Sequence, residues 1–203
     1  KKQILIAPSW QTDNIMDSCI NEMLEMLADT EYYVTVRPHP QYIRHNKEKI
    51  DLLKEKFDVN NIHFQLDFSS NNTVYEADIL ITDWSSIAYD YAYTTLRPVL
   101  FIDTPMKVMN PEYQKIEIIP FNILVRDAIG RHIALENIDT LLEVMGDLIQ
   151  EKDVYREKIY QYSKEYVYNH GKSDMVGATY IIDQIRKKAS IRMGTDVRDE
   201  GSN

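Results

Sequence analysis

Cysteine is nearly absent from the 203 residues: Cys19 is the only one, so the chain cannot form an internal disulfide. Proteins without disulfides are typical of reducing compartments, and we expect a cytoplasmic location. Cys19 lies in a segment whose apolar residues recur at helical spacing. This position favours a buried core thiol over a catalytic one.

Long apolar runs are absent as well. No stretch of the sequence approaches the roughly 20 apolar residues that a membrane-spanning helix needs. Lys1-Lys2-Gln3 leads straight into a short apolar segment, with no hydrophobic signal region after it. We therefore expect a domain excised from something longer.

Basic residues are in the minority: 23 Lys and Arg stand against 32 Asp and Glu, which gives a formal net charge of −9. A surface of that sign repels phosphate polymers at long range, which argues against general nucleic-acid binding. It does not exclude a small phosphate ligand that a few directed donors hold.

The motifs of common metal and cofactor sites are missing too. The sequence has no G-x-G-x-x-G loop, no H-E-x-x-H, no cysteine pair and no D-x-D. Asp83, Asp90 and Asp103 lack metal-ligand spacing, and we expect them to orient hydroxyls or to cap helices. We predict no metal and no cofactor.

The sequence does contain an alternation of apolar strands and helices, in a composition that is 44% hydrophobic. Strands are predicted over residues 4–7, 32–36, 62–66, 79–82 and 99–102. Helices are predicted over residues 15–28, 43–57, 73–77 and 86–93. Apolar strands separated by helices indicate a doubly wound, mainly parallel α/β sheet of the Rossmann-like type. Such sheets bind ligands beyond the carboxyl ends of their strands.

The second half of the chain is less regular. Residues 103–130 contain three prolines and predict an ordered loop with one short strand near Ile123. Helices are predicted over residues 135–150, 154–167 and 176–188. We interpret residues 1–190 as one domain and the polar residues 191–203 as a mobile tail. A basic cluster over residues 186–192 favours a solvated helix face over attraction to a membrane surface.

Two adjacent serines follow the apolar strand that ends at Thr82. Ser85 and Ser86 stand where a helix begins, so free backbone N–H groups, the positive end of the helix dipole and two hydroxyls converge. This arrangement suits a phosphate or diphosphate. Thr82, Asp83 and Asp90 are predicted to support it. The alternative is that one serine only caps the helix.

A histidine lies between two prolines in Arg37-Pro38-His39-Pro40, directly after the second predicted strand. The prolines fix the backbone and predict that no helix forms there. His39 at the ligand edge of the sheet can act as an acid or a base, or donate to a phosphate oxygen. The alternative is an ordinary loop histidine.

The first strand is followed by Ala7-Pro8-Ser9-Trp10-Gln11, which brings a hydroxyl and an indole to the same edge. The alternative role of Trp10 is to cover the core.

Later in the chain, Gly171-Lys172-Ser173 resembles the end of a P-loop, but Tyr166 occupies the place of the required glycine. Lys172 and Ser173 therefore predict either a phosphate contact or a simple cap between two helices.

Taken in order, these segments resemble the CDP-glycerol glycerophosphotransferase family. The resemblance covers about residues 4 to 176, and the double-serine motif with its flanks is its most specific part. It rests on matches to five family motifs: Ala7–Trp10, Arg37–Pro40, Ala77–Tyr91, Arg97-Pro98 and His170–Ser173.

The resemblance implies half of a GT-B architecture, in which two Rossmann-like domains face each other across a cleft. This chain would be the carboxyl-terminal, donor-binding domain, and His39 would lie beside the phosphate that is transferred from CDP-glycerol or a related CDP-alditol. The implied contacts of the donor diphosphate are Ser85, Ser86, Arg37, Lys172 and Ser173.

The resemblance also implies partners. The acceptor would be a polyol phosphate or a lipid-linked molecule, CMP would leave, and the missing amino-terminal domain would carry a second histidine. The full-length enzyme would work at the inner face of the membrane, and this chain alone would bind the donor without efficient turnover.

The sequence departs from the family at two places. His170 replaces the usual Asp, and the 110–130 segment lacks an Arg-Gly-x-Tyr-Phe stretch, for which Arg126 or Arg131 is the candidate substitute. The polyol of the donor could therefore be glycerol, ribitol or another alditol. Two further alternatives are a GT-B glycosyltransferase or epimerase that uses a UDP- or GDP-sugar, and a non-catalytic nucleotide-binding domain.

Overall fold

The computed structural model describes residues 1–58, 61–106, 108 and 110–192. The chain divides into two compact units, of which the first is Lys1–Tyr162 and the second begins at Ser163. This division falls inside the range that the sequence predicted as one domain. The predicted tail lies outside the described residues from 193 onward.

The first unit alternates strands and helices. Its strands are β1 (Gln3–Ile6), β2 (Tyr33–Val36), β3 (Ile62–Phe64), β4 (Ile79–Thr82), β5 (Val99–Asp103) and β6 (Gly130–Ala134). Its helices are α1 (Ile15–Ser18), α2 (Ile20–Leu27), α3 (Pro40–His45), α4 (Lys47–Phe57), α5 (Asn72–Glu76), α6 (Ile87–Thr95), α7 (Phe121–Leu124), α8 (Arg126–Ile129) and α9 (Leu141–Gln150). Helix α10 (Lys152–Tyr166) follows, and α11 (Ser173–Arg192) belongs to the second unit.

The six strands form one parallel sheet in the order β3-β2-β1-β4-β5-β6. The chain runs outward from β1 to β3, crosses back to β4, and then runs outward to β6. The direction of winding therefore changes between β1 and β4, and a doubly wound sheet opens a ligand crevice at that point. The predicted fold class is confirmed.

Burial along β4 shows that helices cover both faces of the sheet. Ile79, Leu80, Ile81 and Thr82 are all fully buried. Successive residues of a strand point to opposite faces, so a strand without an exposed residue must be covered on both sides. Helix α9 contacts β4, β5 and β6, while α6 contacts β4.

Two predicted helices are divided in the structure. The helix predicted over 15–28 is interrupted at Cys19, and the one predicted over 43–57 begins at Pro40 and is interrupted at Asn46. The prediction that the prolines prevent a helix around His39 was therefore wrong for Pro40. A proline is accommodated at the first helical position because its missing N–H would be unpaired there in any case.

The connection between β5 and β6 also differs from the prediction. The strand predicted near Ile123 is wrong, since this residue lies in α7. Strand β6 was not predicted, because Gly130-Arg131-His132-Ile133-Ala134 has too few apolar residues to stand out as a strand. It pairs with β5 alone and forms an edge of the sheet. Residues 135–150 form a short 3₁₀ helix and then α9.

Burial accounts for the one cysteine. Cys19 is 4% exposed in the core, and burial raises the pKa of its thiol to about 12.

Among the described residues, no helix is both long enough and apolar enough to cross a membrane.

Gly130 is expected to be irreplaceable where β5 and β6 meet. A Cβ atom at this position would lie 1.8 Å from the Val99 carbonyl oxygen. Its φ of −175° is ordinary extended backbone, so the conflict is purely steric. We predict that Gly130→Ala lowers the free energy of unfolding by about 3 kcal/mol in urea denaturation.

Gly146→Ala is the matched control, because a Cβ atom there meets no other atom within 4 Å. Gly146 lies inside α9, where alanine is expected to raise the free energy of unfolding by about 0.5–1 kcal/mol. Equal stability of the two variants would contradict the close approach of β5 and β6.

Candidate functional site

A buried carboxylate organises the loops at the carboxyl ends of β1 and β4. Asp83 accepts hydrogen bonds from the backbone N–H groups of Ser9 at 2.8 Å, Ile15 at 3.1 Å and Trp84 at 2.7 Å. Its neighbour Thr82 donates its hydroxyl to the Ala7 carbonyl oxygen at 2.6 Å. Thr82 and Asp83 are therefore supports that fix the loops.

The serine turn follows directly. Ser86 occupies the N-cap position of α6, but its side chain makes no capping hydrogen bond. Ser86 is exposed, Ser85 is half-buried, and both line a cleft. Asp90 lies in the first turn of α6 and lines the same cleft. Capping, the alternative reading of the sequence, does not account for the Ser86 hydroxyl.

Arg37 supplies a buried positive charge to the cleft. The residue is 8% exposed, and its Nη2 donates to Asn71 Oδ1 at 2.8 Å. The guanidinium lies 5.1 Å from the centre of the Phe68 ring, and burial lowers its pKa. Within the described ranges, Arg37 forms no ion pair with a carboxylate. A buried cation without a counter-charge is costly, so an anionic ligand would stabilise it.

The His39 imidazole is oriented by the helix that follows it. His39 is the N-cap of α3, and its Nδ1 accepts the Gln41 N–H at 3.1 Å. In the neutral ring, the proton is then on Nε2, which makes Nε2–H a donor. The Trp10 ring lies 6.0 Å from the imidazole, measured between ring centres.

Ser9 brings a third serine hydroxyl to the cleft. Its side chain is 5% exposed, and its Oγ has no hydrogen-bond partner in the part of the chain that the structure describes. Burying a hydroxyl unpaired costs on the order of 1–3 kcal/mol. A ligand in the cleft would recover this cost by bonding to the hydroxyl.

These residues line a single cleft of about 650 Å³, at the point where the winding of the sheet reverses. It brings together Ser9, Trp10, Arg37, His39, Ser85, Ser86 and Asp90 from the sequence-based prediction. The prediction missed Phe68, Asn71, Val74, Tyr75 and Thr94. The polar run Ser69-Ser70-Asn71-Asn72 after the third strand was the available signal for this wall.

Lys172 and Ser173 belong to the second unit. The Lys172 N–H and the Ser173 hydroxyl both donate to the Asn169 carbonyl oxygen, at 2.8 and 3.0 Å. Gly171 between them and Asn169 has a φ of +68°, which suits a residue without a side chain. The residues that line the cleft all lie in the first unit, and the phosphate contact of Lys172 and Ser173 stays a prediction.

Neither arginine that was considered as a substitute for the family stretch lines the cleft. Arg131 forms ion pairs with Asp147 and Glu151. Arg126 is buried and pairs with Asp103. No cluster of three His, Cys, Asp or Glu side chains among the described residues is arranged to hold a metal ion.

A family model described as CDP-Glycerol:Poly(glycerophosphate) glycerophosphotransferase matches residues 1–182. The minor teichoic acid biosynthesis protein GgaB of Bacillus subtilis (strain 168) is 25% identical over 192 residues, covering 78% of this chain and 19% of GgaB.

Two relatives have the name teichoic acid poly(glycerol phosphate) polymerase. The one from Bacillus subtilis (strain 168) is 32% identical over 115 residues, covering 50% of this chain and 14% of the relative. The one from Bacillus spizizenii is 35% identical over 114 residues, covering 50% of this chain and 26% of the relative. The match thus spans about a quarter or less of each relative's length.

Two solved structures are similar at low identity. MurG of Acinetobacter baumannii has a TM-score of 0.47 and 14% identity, covering 77% of this chain and 48% of MurG. WaaG, a glycosyltransferase involved in lipopolysaccharide biosynthesis, has a TM-score of 0.48 and 18% identity, covering 81% of this chain and 43% of WaaG.

Asp83→Ala is expected to destabilise the first unit, because it leaves the buried N–H groups of Ser9, Ile15 and Trp84 without their acceptor. We predict a loss of about 3 kcal/mol in the free energy of unfolding, measured by urea denaturation. Asp83→Asn retains one acceptor oxygen and should lose less.

The control for this prediction is Asp127→Ala, whose side chain is 84% exposed. Removal of this exposed carboxylate should change the unfolding free energy by no more than about 0.5 kcal/mol. If Asp83→Ala were as stable as the control, the loops would not depend on this carboxylate.

Proposed function

Because the chain belongs to the CDP-glycerol:poly(glycerophosphate) glycerophosphotransferase family, we propose that its cleft binds the diphosphate of CDP-glycerol for transfer of glycerol phosphate. The acceptor is a polyol phosphate or a lipid-linked molecule, and CMP is released. This domain is the donor-binding half of a GT-B enzyme, and the acceptor domain belongs to another part of the full-length protein.

One observation carries this proposal: the cleft concentrates unused hydrogen-bond donors around a buried positive charge. Arg37 has no carboxylate partner among the described residues, the Ser9 hydroxyl is buried without a bond, and Ser86 does not cap its helix. Helix α6 begins at this cleft, since Ser85, Ser86 and Ile87 line it, and the first N–H groups of a helix have no partner further along the helix. A diphosphate provides several oxygens and two negative charges, which match this set.

The donors have distinct tasks in the proposed complex. Ser85, Ser86 and the amides at the start of α6 hold the phosphate oxygens, while Arg37 balances their charge. Asp90 repels phosphate and therefore accepts hydrogen bonds from hydroxyl groups of the ligand instead. Catalysis of this kind depends on position and on the stabilisation of developing charge.

The proposed reaction is a substitution at phosphorus. The acceptor hydroxyl oxygen bonds to the phosphorus that carries glycerol, and the bond from this phosphorus to the bridging oxygen breaks. CMP leaves with that oxygen, and the proton of the acceptor hydroxyl passes to a base from the other domain. His39 Nε2–H donates a hydrogen bond to a phosphate oxygen and so stabilises the charge that develops.

A panel of ligands separates this proposal from its alternatives. We expect calorimetry with this chain to show binding of CDP-glycerol, or of CDP-ribitol if the polyol differs, ahead of UDP-N-acetylglucosamine and GDP-mannose. Preference for the uridine or guanosine ligands would favour a sugar transferase or epimerase. A full-length protein that binds CDP-glycerol but releases no CMP with a lipid-linked acceptor would be a non-catalytic binding protein.

Ser86→Ala tests the phosphate contact. Loss of one charge-assisted hydrogen bond of roughly 1.5–3 kcal/mol should raise the Kd for CDP-glycerol by about 10- to 100-fold in calorimetry. Ser18→Ala is the matched control, since the exposed Ser18 hydroxyl donates to the Asp13 carbonyl oxygen and does not line the cleft. An unchanged Kd in Ser86→Ala would show that the hydroxyl does not touch the ligand.

His39→Ala should reduce turnover of the full-length enzyme more than its affinity for the donor. We expect kcat for CMP release to fall by about 100-fold or more, the usual worth of a positioned proton donor. His45→Ala, on the exposed end of the same helix, is the control. Equal losses in kcat and in donor affinity would make His39 a ligand of the ground state instead.

A further inference from the structure

Arg126 is the first residue of α8 and does not line the cleft. Its side chain is 9% exposed. The guanidinium carbon stands 4.1 Å from the centre of the Trp84 ring and 4.5 Å from the centre of the Phe101 ring. A planar guanidinium stacks on aromatic faces because its charge is delocalised and weakly hydrated.

Trp84 connects this buried cation to the cleft. The residue lies between Asp83 and Ser85, and it lines the cleft. Its backbone N–H is bound by Asp83, and its indole N–H donates to the Thr104 carbonyl oxygen at 2.8 Å. The ring is thus held at its edge by Thr104 and on its face by Arg126.

Asp103 fixes the guanidinium in turn. One carboxylate oxygen accepts from Arg126 Nη2, and the other lies 2.7 Å from His132 Nδ1. Asp103 is the last residue of β5, so its position is fixed by the sheet. Its hydrogen bond in turn fixes the orientation of the Arg126 guanidinium. Asp103 also neutralises the positive charge of Arg126. Arg126 therefore differs from Arg37, whose charge is available to a ligand in the proposed complex.

We propose that Arg126 is a positioning residue for donor binding: it holds the Trp84 indole as a wall of the cleft and thereby fixes the turn of Ser85 and Ser86. This inference rests on the proposed function, because the turn matters for binding only if the cleft takes the donor. A buried ion pair adds little net stability compared with apolar packing. Its hydrogen bond, however, fixes the orientation of the guanidinium, which apolar packing does not do.

The test uses the fact that the chain has two tryptophans. In a Trp10→Phe background, fluorescence excited at a wavelength that tyrosine does not absorb reports Trp84 alone. We expect Arg126→Met to shift the Trp84 emission and to increase its quenching by acrylamide at least twofold. In the background with both tryptophans, the same change should raise the Kd for CDP-glycerol by about tenfold, the worth of one misplaced hydrogen bond.

Arg131→Met is the matched control. It removes an arginine that pairs with Asp147 and Glu151, and it should leave both the emission and the Kd unchanged. If Arg126→Met does not fold by circular dichroism, Asp103→Asn replaces it, because this change removes the negative charge that pairs with the guanidinium and leaves the Trp84 and Phe101 side chains unaltered. Its effects should be smaller and in the same direction.

The outcomes separate the two proposals. A folded Arg126 or Asp103 variant with unchanged Trp84 emission and quenching overturns the inference, and so does an unchanged Kd where the unaltered chain binds CDP-glycerol. If the unaltered chain does not bind CDP-glycerol, the proposed function fails. The fluorescence then still decides whether Arg126 holds Trp84.

Discussion

The cleft depends on one carboxylate with three backbone partners. Asp83 joins the loop after β1, the start of α1 and the turn after β4, which are separated by up to 75 positions in the sequence. Without Asp83, the strands would still end at the same edge of the sheet, but nothing would fix the positions of their loops relative to one another. Ser9 and the serine turn face each other because the same side chain holds the backbone beside both.

A second layer of fixed groups stands around this junction. Arg37 is held by Asn71 and Phe68 on one side of the cleft, and Trp84 is held by Thr104 and Arg126 on the other. The two arginines differ in their charge balance. Arg126 is neutralised by Asp103, whereas Arg37 forms no ion pair with a carboxylate in the part of the chain that the structure describes. Arg37 lines the cleft itself, whereas Arg126 packs against Trp84, which lines it.

The fold was predictable where burial on both faces leaves a clear signal. Strand β4 is a run of four apolar or β-branched residues, and the sequence predicted its bounds without error. Strand β6 was not predicted because an edge strand needs few apolar residues. The start of α3 at Pro40 was missed because proline was expected to prevent a helix, although it is accommodated at the first helical position. The double-serine turn and Pro-His-Pro line the same cleft, and the family match confirms the resemblance of these motifs. The partners of Arg37 and Arg126 were not predictable, since Asn71 and Asp103 lie 34 and 23 positions away in the sequence. The spacing of apolar residues indicates which side chains are buried, but not which residues they contact.

The buried cysteine has a practical consequence for the study of this protein. The thiolate is the form that attacks thiol reagents, and a pKa of about 12 leaves almost no thiolate at neutral pH. The side chain is also almost fully buried. A cysteine introduced at a chosen exposed position would therefore be the one reactive thiol of the folded chain. Maleimide dyes and spin labels can be attached site by site without first replacing Cys19, and the core that surrounds it stays intact.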